Sequence, residues 1–157
     1  METIRNQMLQ LLEVTRRETS LSLSSVDFDR VVYHEHPVWR VRDVVGHLGV
    51  WNGEAAQAIR AHAEGSEYHC ILSEEKYDEY NGLAVAERRT WDAEQVWDEY
   101  ESSSHQLKVL VETMPAEKWY SEMLYPWNER GNIQNLIEVM MRHEVEHREV
   151  ITTSRRF

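Results

Sequence analysis

The sequence predicts an all-α protein: a four-helix bundle with one long crossover that carries a short extra helix. Two observations predict it. Only 6 Gly and 3 Pro punctuate 157 residues, and sparse turn residues favour a few long elements over many short strands. Four long segments also place apolar residues three and four apart, the spacing of a single helix face.

The first helix is expected from about Glu2 to Ser24. Ile4, Met8, Leu11, Leu12, Thr15 and Thr19 form its inner stripe, with Arg5, Glu13, Arg16 and Arg17 between them. Ser25 to Val38 reads as a connector. Its Tyr33-His34-Glu35-His36-Pro37 stretch has no helical period, and Pro37 disfavours helix at His36. The second helix is expected from Arg40 to Ala63, with Val41, Val44, Val45, Leu48, Trp51, Ala55 and Ile59 facing inward and Gly65 as its stop. Gly65 to Thr90 is the crossover, and its Tyr77–Arg89 part forms the extra helix. Asp92 and Gln95 have capping-box spacing and open the third main helix. Val96, Tyr100, Ser103, Leu107, Leu110 and Met114 carry its stripe, and Pro115 ends it. A loop rich in aromatics follows (Trp119, Tyr120, Tyr125, Trp127). Gly131-Asn132 then leads into the last helix, from about Asn132 to Thr152. With no internal repeat and no low-complexity linker, residues 1–157 read as a single domain.

Charge narrows the function classes. The chain carries 28 acidic and 17 basic residues, a formal net charge of -11. A phosphate-backbone binder needs a clustered basic surface. Here Arg16-Arg17, Arg88-Arg89 and Arg155-Arg156 are isolated pairs, so neither nucleic acid nor an anionic membrane is an expected partner. Cys70 is the single cysteine, which rules out an intramolecular disulfide. No apolar run approaches the roughly 20 residues of a membrane span. The N-terminal segment is amphipathic and carries acidic residues, unlike a signal peptide with its apolar core. A cytoplasmic location is the expectation.

The chemistry lies in the histidines. In the last helix Ile133, Leu136, Ile137, Met140, His143, His147, Val150 and Ile151 repeat three and four apart. His143 and His147 therefore stand where the pattern calls for core apolar residues, one turn apart on one face. Two buried imidazoles are costly unless their nitrogens find partners. Either carboxylates or a shared cation could supply them, and imidazole suits Zn, Fe, Ni and Cu. His47, on the flank of the second helix's stripe, is the best third ligand. It could equally be a half-exposed histidine beside Trp51. His34, His36, His62, His69 and His105 fall in loops, at helix ends or off the stripe, and are read as non-ligands. Glu144 and Glu149 either orient a ligand ring or belong to a solvated helix face. Glu54, two turns after His47, is a further candidate for orienting a ligand or acting as a base.

Several segments resemble a known family. Trp39-Arg40-Val41-Arg42-Asp43-Val44-Val45-Gly46-His47-Leu48 is similar to the second-helix signature of the DinB/YfiT-like superfamily. Met141-Arg142-His143-Glu144-Val145-Glu146-His147-Arg148-Glu149 is similar to its last-helix signature. Tyr80 to Arg89 resembles the crossover helix, and Leu124-Tyr125-Pro126-Trp127 the loop before the final helix. The match covers nearly the whole chain in order. One departure is Arg40, where relatives often carry a capping Ser or Thr. The resemblance implies a four-helix bundle with a solvent-open metal centre on His47, His143 and His147, and in many members a homodimer. Relatives include metal-dependent hydrolases, thiol transferases using bacillithiol or mycothiol, maleylpyruvate isomerases, and the metal-binding domain of ergothioneine-forming enzymes.

Three neutral ligands leave an ion's charge uncompensated and a coordination position open, which is the catalytic pattern rather than the structural one. The expected function is metal-dependent hydrolysis or transfer of a low-molecular-weight thiol, on a small-molecule substrate, with Zn, Ni or Fe as the divalent ion. The alternative is a non-catalytic metal- or ligand-binding module in which the ion is structural. Motif position makes Trp51, Tyr80, Asn81 and Trp127 the expected pocket walls. No catalytic side chain beyond the ligands is assigned.

Overall fold

A computed structural model describes residues 2–35, 37–70 and 76–153. His36 and the Arg155-Arg156 pair lie outside the described residues. Helix α1 (Glu2–Leu23) is followed by the short strands β1 (Val31–Tyr33) and β2 (Trp39–Arg40), then α2 (Val41–Glu64). Helix α3 (Tyr77–Glu87) lies in the crossover. Helix α4 (Ala93–Thr113), a 3-10 turn at Ala116–Lys118, β3 (Met123–Leu124), β4 (Arg130–Gly131) and α5 (Ile133–Thr153) complete the order. The four long helices fall within one or two residues of their expected bounds.

The two small antiparallel ladders, β1 with β2 and β3 with β4, were not expected. Strands of two or three residues are too short to show a period of two. The first ladder also explains how α2 begins without a capping Ser or Thr. Arginine has no acceptor to offer the first turn. Instead the Val41 and Arg42 N–H groups donate to the Arg30 and Phe28 carbonyls at 2.9 and 3.0 Å. Asp43 accepts from the Arg40 N–H at 2.8 Å. The orphan donors at the helix start are thus met by the preceding segment and by the third residue of the helix.

The other signals act as read. Gly65 takes φ 68°, the left-handed conformation that closes a helix. Asp92 and Gln95 exchange reciprocal bonds of 2.8 and 2.9 Å at the start of α4. Asn132 accepts from the Asn135 N–H at 2.9 Å and caps α5.

Around the bundle α1 packs on α5 and α4, and α2 packs on α4 and α5. Helices α1 and α5 run the same way, with Thr19 beside Glu144 and Arg148. So do α2 and α4, with Gly49 against Tyr100 and Asn52 bonded to Ser104. A parallel neighbour cannot be reached by a tight turn, so the chain between α2 and α4 must travel the length of the bundle. That requirement accounts for the long crossover. At Gly49 the two helices come so close that a Cβ would sit 3.3 Å from the Tyr100 backbone. The absence of a side chain there is what lets α2 and α4 meet.

The core is two apolar clusters. One holds Met8, Ile59, Leu107, Ile133 and Leu136. The other holds Leu23, Val44, Val96, Tyr100 and Ile151. Each helix crosses between them through buried polar residues: Thr15 and Thr19 in α1, His47 and Asn52 in α2, Ser103 in α4, Glu144 in α5. Glu144, 2% exposed, accepts from Thr19 at 2.7 Å and from the Tyr100 hydroxyl. Burial raises its pKa, while these donors and Arg148 oppose the rise.

Tyr100→Phe should therefore cost about 2 kcal/mol of folding free energy, because a buried carboxylate loses a donor. Urea unfolding at neutral pH measures it, and an unchanged midpoint would show that the Tyr100 bond contributes nothing.

Candidate metal centre

Helix α2 places His47 in its second turn, 5% exposed. Helix α5 places His143 and His147 one turn apart on the face turned toward α2. Their rings meet across the α2–α5 seam. His47 Nε2 lies 3.1 Å from His143 Nε2, and His147 Nε2 lies 3.0 Å from the same atom. One ligand atom from each of the three residues lies within 4.8 Å of the others.

Three ring nitrogens cannot satisfy one another in this arrangement. A neutral imidazole has one N–H and one lone pair, so His143 Nε2 can donate to a single neighbour or accept in one direction. It lies within reach of both other rings yet can make only one well-directed bond, so one of the two contacts is left poorly made. A cation takes all three lone pairs at once. Metal–nitrogen bonds of about 2.0–2.1 Å put adjacent ligand nitrogens roughly 3.0–3.4 Å apart, depending on coordination number. The two observed edges fall at the short end of that range, so the residues could hold a divalent ion.

The electrostatics suit the same role. Burial pushes the His147 pKa down to about 4, with neighbouring His143 adding to the effect. Burial also lowers His143, with Glu146 opposing. His47 is held well below its ordinary value by burial and then by the other two rings, against a pull from Asn81. All three rings are thus neutral near pH 7 and keep a free lone pair, as ligands must. The Tyr33 hydroxyl stands 3.0 Å from His147 Nδ1. When His147 presents Nε2 inward, Nδ1 carries the proton and donates it to the Tyr33 oxygen, which fixes tautomer and ring plane.

An open cavity of about 1030 Å³ lies over the imidazoles. Five aromatic side chains wall it: Tyr33, Trp39, Trp51, Tyr77 and Trp127. The Trp39 ring is 5.2 Å from that of His47, and Trp51 is 6.5 Å from it. Trp51 Nε1 donates to Asn81 at 2.8 Å, and the Tyr77 hydroxyl donates to the Trp127 carbonyl at 3.0 Å. These bonds tie α3 to α2 and to the loop before β4, so the walls of the cavity are held by three separate segments.

Of the expected walls, Trp51, Asn81 and Trp127 line the cavity and Tyr80 does not. On α3, residues 77, 78, 81 and 82 share the face over the histidines. Tyr80 points to the other side, where it backs Trp51 at 5.7 Å and donates to Glu54 at 2.8 Å. Glu54 is thereby placed away from the imidazoles. Burial raises its pKa, while the Tyr80 bond opposes the rise. Glu144 is neither an orienting group nor a solvated one, because it is turned into the bundle toward Thr19 and Tyr100. Glu149 is exposed. His34, His69 and His105 are exposed, and His62 donates to the Lys118 carbonyl at 2.8 Å. Tyr33 and Trp39 were missed, because their segment carries no period and they meet the site only once the ladder forms.

A family model described as the DinB superfamily matches residues 6–151. Among solved structures, the chain is similar to the mycothiol-dependent maleylpyruvate isomerase, with 16% identity, a TM-score of 0.79, and coverage of 94% of this chain and 60% of that one. The chain thus spans about 60% of the length of that isomerase. It is also similar to YfiT from Bacillus subtilis, described as a probable metal-dependent hydrolase with an unusual four-helix bundle topology. There the identity is 18%, the TM-score 0.72, and the coverage 97% and 86%. The colibactin self-resistance protein ClbS, in complex with double-stranded DNA, gives 11%, 0.77, 97% and 95% in the same order. At these identities the likeness is one of fold. No curated protein matches the chain.

The lowered imidazole pKa values fix a sign for pH. A histidine whose folded pKa lies below its unfolded value stabilises the fold above the unfolded value, and that contribution is lost as pH falls. Between the ordinary 6.5 and about 4, the folded value of His147, the unfolded chain binds more protons. Thermal melts of chelator-treated protein should lose stability over this window, and the loss should be shallower in His147→Leu. Identical slopes in the two proteins would show that the buried rings do not set the acid limb.

Proposed function

The chain belongs to the DinB superfamily, and on that premise we propose that it is an enzyme built around one divalent metal ion held by His47, His143 and His147. The reaction is hydrolysis of a small molecule, or transfer of a low-molecular-weight thiol to an electrophile. The observation that carries this reading is the open cavity directly above three neutral ring nitrogens. A purely structural ion calls for a closed site with four protein ligands. Here the three rings form one wall of a space large enough for a substrate. No helix among the described residues is long and apolar enough to cross a membrane.

When bound, the ion supplies a Lewis acid that lowers the pKa of a water or thiol to near neutral. The chain's own residues supply the rest. The three rings fix the position of the charge and bring no compensating charge of their own. Tyr33 holds His147 in one tautomer. Trp39 and Trp51 flank His47 and keep water from its sides, which strengthens every electrostatic interaction within the site. Asn81 accepts from Trp51 and lines the cavity beside His47.

Two fold neighbours bear on the partner. The isomerase is described as mycothiol-dependent, which supports a thiol cosubstrate. The DNA complex of ClbS belongs to a protein 11% identical to this one, and a net charge of -11 opposes the same role here. The cytoplasmic location and the homodimer belong to the proposal as well, and sedimentation of the purified chain tests the latter.

Protein purified without added metal or affinity tag should contain close to one divalent ion per chain by elemental analysis, and His147→Ala should lose it. Undiminished metal in the variant would sink the proposal. Tyr33→Phe removes the Nδ1 acceptor but not a ligand. It should keep the fold and weaken metal affinity about tenfold, the lower end for an orienting partner, as read by competition with a chelating dye.

A further inference from the structure

The ionised side chains at the cavity rim all carry one sign. Asp78 projects from α3, and Glu129 from the loop before β4. Both are exposed. Glu129 is held in place, because its carboxylate accepts from Trp127 Nε1 at 2.8 Å. Among the described residues that line the cavity there is no lysine or arginine. The other polar side chains there are amides, hydroxyls and the three imidazoles that burial keeps neutral. Beneath the rim lie five aromatic rings, whose faces are negative and whose surfaces are flat and apolar.

The geometry points to a substrate with a flat or compact apolar body and a positively charged group, an ammonium or amidinium, that lies between the aromatic walls and the Asp78–Glu129 rim with its reacting end at the histidines. This rests on reading the three histidines as the reaction centre. A cation on aromatic faces gains attraction from the ring quadrupoles, most of all over Trp. Two carboxylates at the mouth add a longer-range attraction that salt screens. The whole chain, at -11, adds to the same field. Away from the histidines, where the ion would sit, an anionic group would meet two carboxylates and aromatic faces of the wrong sign, with no lysine or arginine among the described lining residues to offset its desolvation.

Matched probes test the charge preference directly. Benzyltrimethylammonium and phenylmethanesulfonate share size and shape, and a sulfonate is a weak metal ligand, so neither depends on the ion. Each is titrated into the purified full-length chain while tryptophan fluorescence is followed, since Trp39, Trp51 and Trp127 line the cavity. The cation should bind at least about tenfold more tightly than the sulfonate. The double variant Asp78→Asn, Glu129→Gln keeps acceptor oxygens, including the one for Trp127. It should lose most of that preference, and added salt should shrink the preference in the parent chain. Equal or tighter binding of the sulfonate would overturn the inference, as would cation binding that ignores the double substitution. Repeating the titration in His147→Ala separates this outcome from the metal reading. The charge preference should survive there. A parent chain that holds no metal but keeps the preference condemns only the reaction centre, and one that holds metal but shows no preference condemns only the substrate class.

Discussion

Three imidazole nitrogens, forced into one another's reach at the buried seam of α2 and α5, are the constraint on which the site depends. Each ring is kept neutral by burial, so none can satisfy the other two. Burying three polar rings in mutual conflict costs stability, and apolar side chains of similar size would avoid the cost. A core that retains such a cluster gives up stability to keep it. The rest of the bundle is arranged around it, with a large apolar cluster on either side of the polar layer.

The topology decides where the site can open. Because α2 and α4 run parallel and Gly49 lies against the Tyr100 backbone, these two helices pack backbone to backbone just beyond His47. The crossover they require brings α3 back over α2, and the loop between β3 and β4 brings Trp127 to meet it. The α2–α5 seam is left free to widen, roofed by elements from distant parts of the chain. The Tyr77–Trp127 and Trp51–Asn81 bonds fasten this roof. The first ladder sets Trp39 beside His47 and Tyr33 beside His147 while also feeding carbonyls to the start of α2. One short strand pair thus begins the helix that carries a histidine and supplies two walls of the cavity.

The helices and the three histidines were legible because they obey a period. His143 and His147 stand in an apolar register, and His47 lies on the flank of one, so a face could be assigned before any coordinates. Long-range pairing obeys no such rule. Tyr33 and Trp39 sit in a segment too short and irregular to show its ladder, and nothing local says that it folds back over α2. Tyr80 was misplaced for a finer reason. The helix was recognised, but α3 has little amphipathic contrast and only Ala84 and Val85 are buried, so its phase relative to the cavity could not be read. Glu144 was misjudged because its partners, Thr19 and Tyr100, lie in two other helices and appear in sequence as ordinary stripe positions.

Glu144 also bears on why the site is an open one. It follows His143 directly, and a carboxylate there is the obvious group to turn inward, complete a coordination sphere and cancel part of an ion's charge. The bundle commits it elsewhere. Thr19 and Tyr100 donate to one of its oxygens, and Arg148, itself bonded to Thr19 and Glu18, lies alongside. Turning it toward the imidazoles would strand the Tyr100 hydroxyl in the core, at a cost of about 1–3 kcal/mol for an unmade buried bond. The described donor set accordingly stays all-imidazole and uncharged. An ion held by neutral ligands retains its full charge, and with it the power to acidify whatever binds on the cavity side. On the proposed reading, the hydrogen bonds that lock Glu144 away act on the chemistry without touching the site, by keeping a stabilising but deactivating ligand out of it.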